Sequence, residues 1–236
     1  YGFKTIVDNF AETWTLFEQA VLEPSMPKEE VELRRNQQLA EIKSMLEDPD
    51  SHLVYLTTRN FFEGHPYFNL QVGTEENVKG FTQADVMAYQ RSMLRPERMV
   101  LVVVGNVSAA DVLDRVKSSF GRIQNSGEEE VQLPPFSSPP SVRIANRDLP
   151  TNYVLGYFSG PKPGHPDYPA TVVAMEYLKD RLFEEVRTKR NLTYAVSAGI
   201  SDKLQNYGYL YVTATDPKTT MSVIFDQVEE MKLIAI

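Results

Sequence analysis

The sequence predicts an α/β protein that is built from two similar halves. A strand, a turn and a helix follow one another over Val100–Phe120, and the same pattern returns over Tyr209–Glu229, 109 residues later. A pattern that repeats at such a distance indicates two related structural units in one chain. Residues 125–141 shift towards serine, acidic residues and four prolines, a composition that is typical of a linker. We therefore expect residues 1–124 and 142–236 to form the two halves.

Amphipathic patterns and capping residues predict the helices of the first half. Ser25 suits an N-cap and Pro27 a first helical turn, while Thr82 and Asp85 have the spacing of a capping box. Apolar side chains three or four residues apart mark the buried faces. The helices predicted in this way cover Thr5–Leu22, Ser25 to about Leu46, Ser51–Phe62 and Thr82 to about Leu94, with Gly64–Gly80 as a loop.

Runs of β-branched residues predict the strands. Met99–Gly105 contains four valines and has the length of a buried strand, and Ser108 then caps a helix that ends near Phe120. The elements predicted for the second half are strands over Ser141–Ala145, Asn152–Ser159, Leu192–Ser201 and Tyr207–Thr215, and helices over Asp167–Arg187 and from Pro217 onwards.

Composition excludes several classes of function. The 236 residues carry a formal net charge of −8 and show no cluster of Lys and Arg, which argues against binding to nucleic acid. There is no cysteine, so a disulfide, an iron–sulfur cluster and a thiolate nucleophile are excluded. A metal would have to be held by His, Asp or Glu. No apolar run is long enough to span a membrane.

The histidines do not form a known metal motif. His52, His65 and His165 are far apart in the sequence, and neither H-E-x-x-H nor H-x-x-E-H is present. His65 and His165 each precede a proline, a context that favours plain loop residues. The sequence therefore predicts no complete zinc site. Because the chain begins on Tyr1, in an apparently helical stretch, we expect it to be a piece of a longer chain.

Three residues remain as candidates for function. Glu41 lies at the edge of the apolar face of its predicted helix, on the same side as Arg34, which suits either a half-buried carboxylate or a surface residue paired with Arg34 or water. Arg187 ends a predicted helix and Tyr194 begins the next predicted strand. An Arg can hold a peptide carbonyl or carboxylate and a Tyr hydroxyl can donate to an oxyanion, yet helix ends and strands favour these residues in any case.

Several strings of the sequence, taken in order, resemble the pitrilysin/insulinase family of inverted-motif zinc peptidases, which includes the mitochondrial processing peptidases. The matching strings cover nearly the whole chain, and the last of them is the most specific. They are Leu22-Glu-Pro24 with Pro27-Lys-Glu-Glu30, Leu39-Ala-Glu-Ile42 with Asp48-Pro49, Gly64-His-Pro-Tyr67 with Gly73, Pro96–Val107, and Arg181–Ser197 with Gly208.

The resemblance implies both a fold and a mechanism. The fold is the two-layer α+β fold of the LuxS/processing-peptidase-like metallopeptidases, with a largely antiparallel mixed sheet in each lobe and helices on one side. Glu41 corresponds to the third zinc ligand, while the two His ligands and the general-base Glu of H-x-x-E-H would lie upstream of this chain. Arg187 and Tyr194 correspond to a pair that binds substrate and stabilises the tetrahedral intermediate. Substrates would be unfolded peptides, held as an added strand and hydrolysed by zinc-activated water.

Two departures from the family pattern lead to an alternative. The chain lacks the H-x-x-E-H segment, so we expect it to be inactive on its own and to bind zinc weakly. Arg34 occupies a position, seven residues before Glu41, where many active members carry an acidic residue. The alternative is a non-catalytic subunit that bears the Arg/Tyr pair and binds peptide for a zinc-bearing homologue, in a homo- or heterodimer. The sequence leaves the cellular compartment open.

Overall fold

A computed structural model describes residues 1–125, 132–134 and 136–233. Within these ranges the chain forms eight α-helices and three β-strands, which confirms the predicted α/β class. The helices are α1 (Phe10–Leu22), α2 (Lys28–Glu47), α3 (Pro49–Phe61), α4 (Glu75–Gly80), α5 (Gln83–Met93), α6 (Ala109–Ser118), α7 (Tyr168–Leu182) and α8 (Pro217–Met231). The strands are β1 (Asn152–Ser159), β2 (Val196–Ile200) and β3 (Tyr207–Ala214).

The chain folds into two compact units. One contains Tyr1–Ala40 and Thr74–Val131, and the other contains Glu41–Gly73 and Gln132–Ile236. The predicted linker falls partly on residues 126–131 and 135, which lie outside the described residues. The division into halves at 125–141 stays a prediction. The compact units differ from it, because Glu41–Gly73 belongs to the same unit as the chain beyond residue 132.

Side-chain hydrogen bonds at the first residues of the helices explain why capping residues in the sequence predict where helices begin. The hydroxyl of Thr82 accepts from the backbone N–H of Asp85 at 3.2 Å, and the carboxylate of Asp85 accepts from the N–H of Thr82 at 2.8 Å, which completes the predicted capping box. Asp48 caps α3 in the same manner. Helix α4 occupies a stretch for which the sequence predicts only a loop. It begins where the hydroxyl of Thr74 accepts from the N–H of Asn77 at 3.2 Å.

Two of the predicted strands are wrong. Met99–Gly105 has no regular secondary structure, and the side chains of Val100, Val102 and Val104 are 89%, 76% and 93% exposed. Ser141–Ala145 likewise forms no strand. A strand requires a neighbour to satisfy its backbone groups, and none of the residues in the described ranges pairs with either segment. The first copy of the predicted repeat therefore consists of α6 without its strand.

Aromatic rings build the core of the first unit. Trp14 is 2% exposed and its ring meets that of Phe120 edge-on, with the centroids 6.2 Å apart. Phe17 contacts both rings, at 6.1 and 6.0 Å. The buried amide of Gln90 donates to the carbonyl oxygen of Val21 at 2.7 Å, which satisfies one of the free carbonyls at the end of α1. The packing therefore uses the face that the spacing of apolar residues predicts for α1.

The second unit contains a three-stranded antiparallel sheet of order β1-β3-β2. Helices α7 and α8 cover one of its faces. The buried residues of this core are Met175, Leu178, Leu182, Val186, Ala198, Val212 and Ile224. Side chains alternate along a strand, so Val212 of β3 faces this core while Tyr207 and Tyr211 face the other way.

Helix α3 packs against the opposite face of the sheet. The ring of Phe61 lies 5.7 Å from that of Tyr157 and 6.2 Å from that of Tyr207. The hydroxyl of Tyr211 donates to the carboxylate of Asp50 at the start of α3, and burial together with this carboxylate raises the pKa of Tyr211. This sheet therefore carries helices on both faces, whereas the resemblance implies helices on one side. No helix in the described part of the chain is long and apolar enough to cross a membrane.

His65 is a buried, neutral histidine within an aromatic cluster. It is 4% exposed, and its ring lies 5.6, 4.9 and 5.1 Å from those of Phe62, Tyr67 and Phe136. Its Nδ1 accepts from the backbone N–H of Tyr67 at 3.1 Å, so the proton of the neutral ring sits on Nε2. The buried Nε2 has no hydrogen-bond partner in the described residues. Burial lowers the pKa of His65, because no neighbouring group offsets the cost of placing a positive charge on the buried ring.

We expect the free energy of unfolding to fall as the pH is lowered from about 7.5 through about 6.5, the pKa of an unfolded histidine. The unfolded state takes up a proton on His65 at a pH where the folded state keeps the ring neutral, so acid favours unfolding. The loss continues until the pH reaches the lowered pKa of the folded state. Urea unfolding at several pH values between 7.5 and 5.5 measures it.

His65→Phe keeps an aromatic ring in the cluster and is expected to lose this part of the pH dependence. His165→Gln removes the exposed histidine of the other His-Pro pair and is expected to keep it. Equal pH dependence in the wild type and in His65→Phe would contradict the assignment.

Candidate functional site

Arg187 lies on a π-helical turn that extends α7. The turn covers Phe183–Thr188, and the N–H of Lys189 donates to the carbonyl of Glu184, five residues earlier, at 2.9 Å. Such widened turns occur frequently at functional sites. Leu182 and Val186 are both fully buried in the core. The predicted helix Asp167–Arg187 is thus present, with its last turn π-helical.

The chain reverses immediately after this turn. Asn191 adopts a positive φ of 49°, a conformation that Asn tolerates better than most residues. The N–H groups of Asn191 and Leu192 donate to the carbonyls of Arg187 and Val186, both at 3.0 Å. These bonds satisfy carbonyls at the helix end and bring the segment that carries Tyr194 back alongside Arg187.

Thr193 fixes this segment to the sheet. Its side chain is buried, and its hydroxyl accepts from the N–H of Ala195 at 3.0 Å and donates to the carbonyl of Thr213 on β3. The N–H of Thr213 in turn donates to the carbonyl of Ala195 at 2.9 Å. Tyr194 lies between two anchored residues, while its own side chain is 83% exposed. The backbone of Tyr194 is therefore held in place and its phenol ring faces solvent.

The structure places Arg187 and Tyr194, the pair that the family resemblance implies, next to each other. The Cζ atom of Arg187 lies 5.1 Å from the centroid of the Tyr194 ring and 4.9 Å from that of the Phe183 ring. Both distances are within the range of cation–π contacts. Phe183 is the residue that sequence reasoning missed. Its signal was present, since an aromatic residue four positions before an Arg shares a helix face with it.

The N–H donors of the Arg187 guanidinium have no partner in the described part of the chain. Other cations nearby are satisfied: the Nε of Arg181 donates to Gln227 at 2.9 Å, and Arg190 pairs with Glu185 at 2.5 Å. Lys189 lies 2.9 Å from the carboxylate of Glu184. The nearby acidic groups are therefore engaged by other cations, and hydrogen bonds from Lys189 and Arg190 lower the pKa of Glu185 to about 2. Among the described residues, Arg187 is thus left as a cation whose donors have no acceptor.

Among the described residues, Glu41 has no companion ligands that would form a metal centre with it. Its side chain is exposed on α2, which agrees with the surface alternative and not with a half-buried carboxylate, while the neighbouring Ile42 is buried. Arg34 donates to the side chain of Gln37 at 3.0 Å. The described residues contain no group of three or more His, Asp or Glu side chains that could hold a metal ion. One exposed carboxylate does not fit a zinc ion, which takes four ligands in structural sites and at least three protein ligands in catalytic ones.

A model of a known family matches the larger part of the chain. Residues 80–234 match the family described as the peptidase M16 inactive domain. The matched range includes Arg187, Tyr194 and the whole of the three-stranded sheet.

Curated relatives carry protease names. An uncharacterised zinc protease of Mycobacterium leprae (strain TN) is 28% identical over 209 residues, which cover 84% of this chain and 46% of that protein. An uncharacterised zinc protease of Bacillus subtilis (strain 168) is 27% identical over 172 residues, 71% of this chain and 41% of that protein. The mitochondrial-processing peptidase subunit beta of Blastocladiella emersonii is 34% identical over 84 residues, 35% of this chain and 18% of that protein. The chain thus spans about half the length, or less, of these relatives.

Solved structures share the fold. A peptidase M16 inactive domain from Pseudomonas fluorescens superposes with a TM-score of 0.86 and 20% identity, over 95% of this chain and 56% of that chain. A chain of complex III from Candida albicans superposes with a TM-score of 0.77 and 17% identity, over 98% of this chain and 60% of that chain. This likeness confirms the predicted α/β fold class with an antiparallel sheet.

Thr193→Val is expected to lower the free energy of unfolding by about 1–3 kcal/mol, because the carbonyl of Thr213 loses its hydroxyl donor and the N–H of Ala195 keeps only the longer bond, of 3.3 Å, to the hydroxyl of Thr213. Urea unfolding measures the loss, and amide hydrogen exchange at Ala195 should become faster. Thr171→Val is the matched control, since its hydroxyl bonds to a carbonyl at the exposed start of α7. A Thr193→Val protein as stable as this control would show that the hydroxyl does not anchor Tyr194.

Proposed function

The chain belongs to the family of peptidase M16 inactive domains, and from this premise we propose that it is the peptide-binding part of a zinc metallopeptidase. In this proposal Arg187 and Tyr194 contact the substrate and Glu41 supplies one zinc ligand, while the two His ligands and the base that activates water lie outside this chain. The chain alone would then bind peptides without cleaving them. The protease names of the relatives support the proposal.

The unpaired guanidinium of Arg187 is the observation that carries the proposal. An Arg side chain stays charged at any physiological pH and presents five N–H donors in one plane. With no protein acceptor among the described residues, these donors are available to a peptide carbonyl or to a carboxylate. Such a contact positions the peptide and withdraws electron density from its carbonyl group.

Tyr194 supplies a second donor beside Arg187. Its hydroxyl is exposed, and its ring is oriented by the contact with the guanidinium. When water adds to the carbonyl carbon of a peptide, the carbonyl oxygen becomes negatively charged, and donors already directed at that oxygen lower the barrier. We assign Tyr194 to this stabilisation and Arg187 to substrate binding beside it.

An edge strand next to this pair suits an extended substrate. β2 lies at one side of the sheet and begins at Val196, two residues after Tyr194. None of the described residues pairs with its outer edge. A peptide that adds to this edge would use backbone hydrogen bonds, a mode that favours unfolded substrates over folded ones.

Arg187→Ala is expected to reduce kcat/KM for peptide hydrolysis by the protein that carries this chain about 10–100-fold, mainly through a higher KM, because a charge-assisted hydrogen bond to the substrate is lost. Tyr194→Phe keeps the ring over the guanidinium and is expected to lower kcat more than it raises KM. Initial rates with an unfolded peptide measure both effects. Arg190→Ala is the matched control, because Arg190 is exposed, near in sequence and paired with Glu185. Equal losses for Arg187→Ala and Arg190→Ala would contradict a specific role of Arg187.

A second candidate function is a non-catalytic subunit that binds peptide for a zinc-bearing companion. Arg34 favours it, since a cation on the helix of Glu41 opposes the binding of a metal cation. The similarity to a beta subunit of the mitochondrial-processing peptidase shows that a relative is named as part of a multi-subunit enzyme. In this case Glu41 would have no role as a ligand.

Zinc content separates the two candidates. If the leading proposal holds, the purified protein that carries this chain contains zinc, and Glu41→Gln removes most of it because a third ligand is lost. If the second candidate holds, the protein contains no zinc, stimulates peptide cleavage by a zinc-bearing homologue, and keeps that stimulation in Glu41→Gln. Glu47→Gln, at the end of the same helix, is the control for charge loss alone. Unchanged zinc content in Glu41→Gln would reject Glu41 as a ligand.

A further inference from the structure

We infer that Phe183 is a positioning residue that holds the guanidinium of Arg187 ready for a carbonyl or carboxylate of the substrate. The inference rests on the proposed function, in which Arg187 binds peptide. Phe183 contacts Arg187 through its ring, so it restrains the cation without occupying any of its N–H donors. A carboxylate partner would restrain the cation equally well but would consume those donors.

The helix register places Phe183 under Arg187. Leu182 and Val186 are four residues apart and both 0% exposed, so the core fixes the rotation of this turn. Phe183 and Arg187 follow them by one residue each and therefore share the adjacent face. This face lies at the surface, where Phe183 is 47% exposed. The core thus determines that the ring and the cation meet outside it.

The exposure of Phe183 argues for a role outside the core. A large apolar side chain that is half-exposed contributes less hydrophobic stabilisation than a buried one. Phe183 does not belong to the buried cluster formed by α7, α8 and the sheet. Within the described ranges, the aromatic or cation–π contact that the ring of Phe183 makes is the one with Arg187.

The surroundings of Arg187 show what Phe183 prevents. Glu184 lies three residues before Arg187, a spacing at which a salt bridge can form on a helix. Its side chain is 59% exposed and pairs with Lys189. Without the ring of Phe183, the guanidinium could turn to Glu184 and lose donors to it. A cation–π contact at an exposed site shifts such an equilibrium about two- to fivefold.

The test combines an NMR signal with peptide affinity. In the peptide-free chain the Nε–H resonance of Arg187 reports the ring currents of Phe183 and Tyr194, so the part lost in Phe183→Leu is the part due to Phe183. Phe183→Leu keeps the apolar volume and removes the ring, and Phe183→Trp restores a cation–π partner. Phe225→Leu is the matched control, since Phe225 is an exposed ring, 57% accessible, on α8. We expect Phe183→Leu to move the resonance and to weaken peptide binding two- to fivefold, with an unchanged Tm, and Phe183→Trp to restore affinity.

Each other outcome overturns the inference, and the two assays show where it fails. An unmoved Nε–H resonance in Phe183→Leu would mean that the ring does not hold the guanidinium. A moved resonance with unchanged affinity, while Arg187→Ala loses binding, would leave the proposed function intact and remove the role of Phe183. If Arg187→Ala also binds peptide normally, the proposed function itself fails.

Discussion

The burial of Leu182 and Val186 is the constraint on which the candidate site depends. Each side chain contributes on the order of 1.5–3 kcal/mol when it is buried in full, and both are 0% exposed between α7, α8 and the sheet. The last turn of this helix is π-helical, and Val186 remains in the core within it. Because rotation of the turn would expose one of these residues, Arg187 has little freedom in where its backbone lies. The position of the cation is thus a consequence of core packing.

The pairing of acidic side chains with nearby cations then determines which cation remains available to a substrate. The segment after α7 contains two acids, Glu184 and Glu185, and three cations, of which Lys189 and Arg190 pair with these acids. Lys189 and Arg190 take the carboxylates, and Arg187 contacts rings instead. An ion pair at an exposed site contributes little to stability, so the value of this arrangement lies in the donors that it leaves open.

Sequence patterns correctly predicted structure that depends on residues close together in the sequence. They failed where the structure depends on a partner that is distant in the sequence. The capping box of Thr82 depends on a residue three positions away and was predicted correctly. The valines of Met99–Gly105 have strand propensity, yet a strand also needs a second strand, and the described residues supply none there. The pairing of Arg187 with Tyr194 was implied by the family resemblance. Periodicity could not predict it, because the chain reverses between the two residues, and a spacing of seven across a reversal matches neither a helix nor a strand. For Glu41, periodicity predicted the face of the helix on which it lies. Whether that face is exposed depends on what packs against α2, which periodicity does not show.

A domain that is described as inactive can still take part in catalysis. Metal binding needs several converging ligands, and the described residues of this chain contain no such cluster. Stabilising an oxyanion needs only donors fixed at the right place, and removing one such donor from an enzyme costs about 2.7–4 kcal/mol of transition-state stabilisation. In the proposed function Arg187 and Tyr194 are donors of this kind: the core and Thr193 fix their backbones, and no described residue accepts a hydrogen bond from the guanidinium of Arg187. Inactivity in the sense of lacking a metal site is therefore compatible with a direct contribution to the reaction.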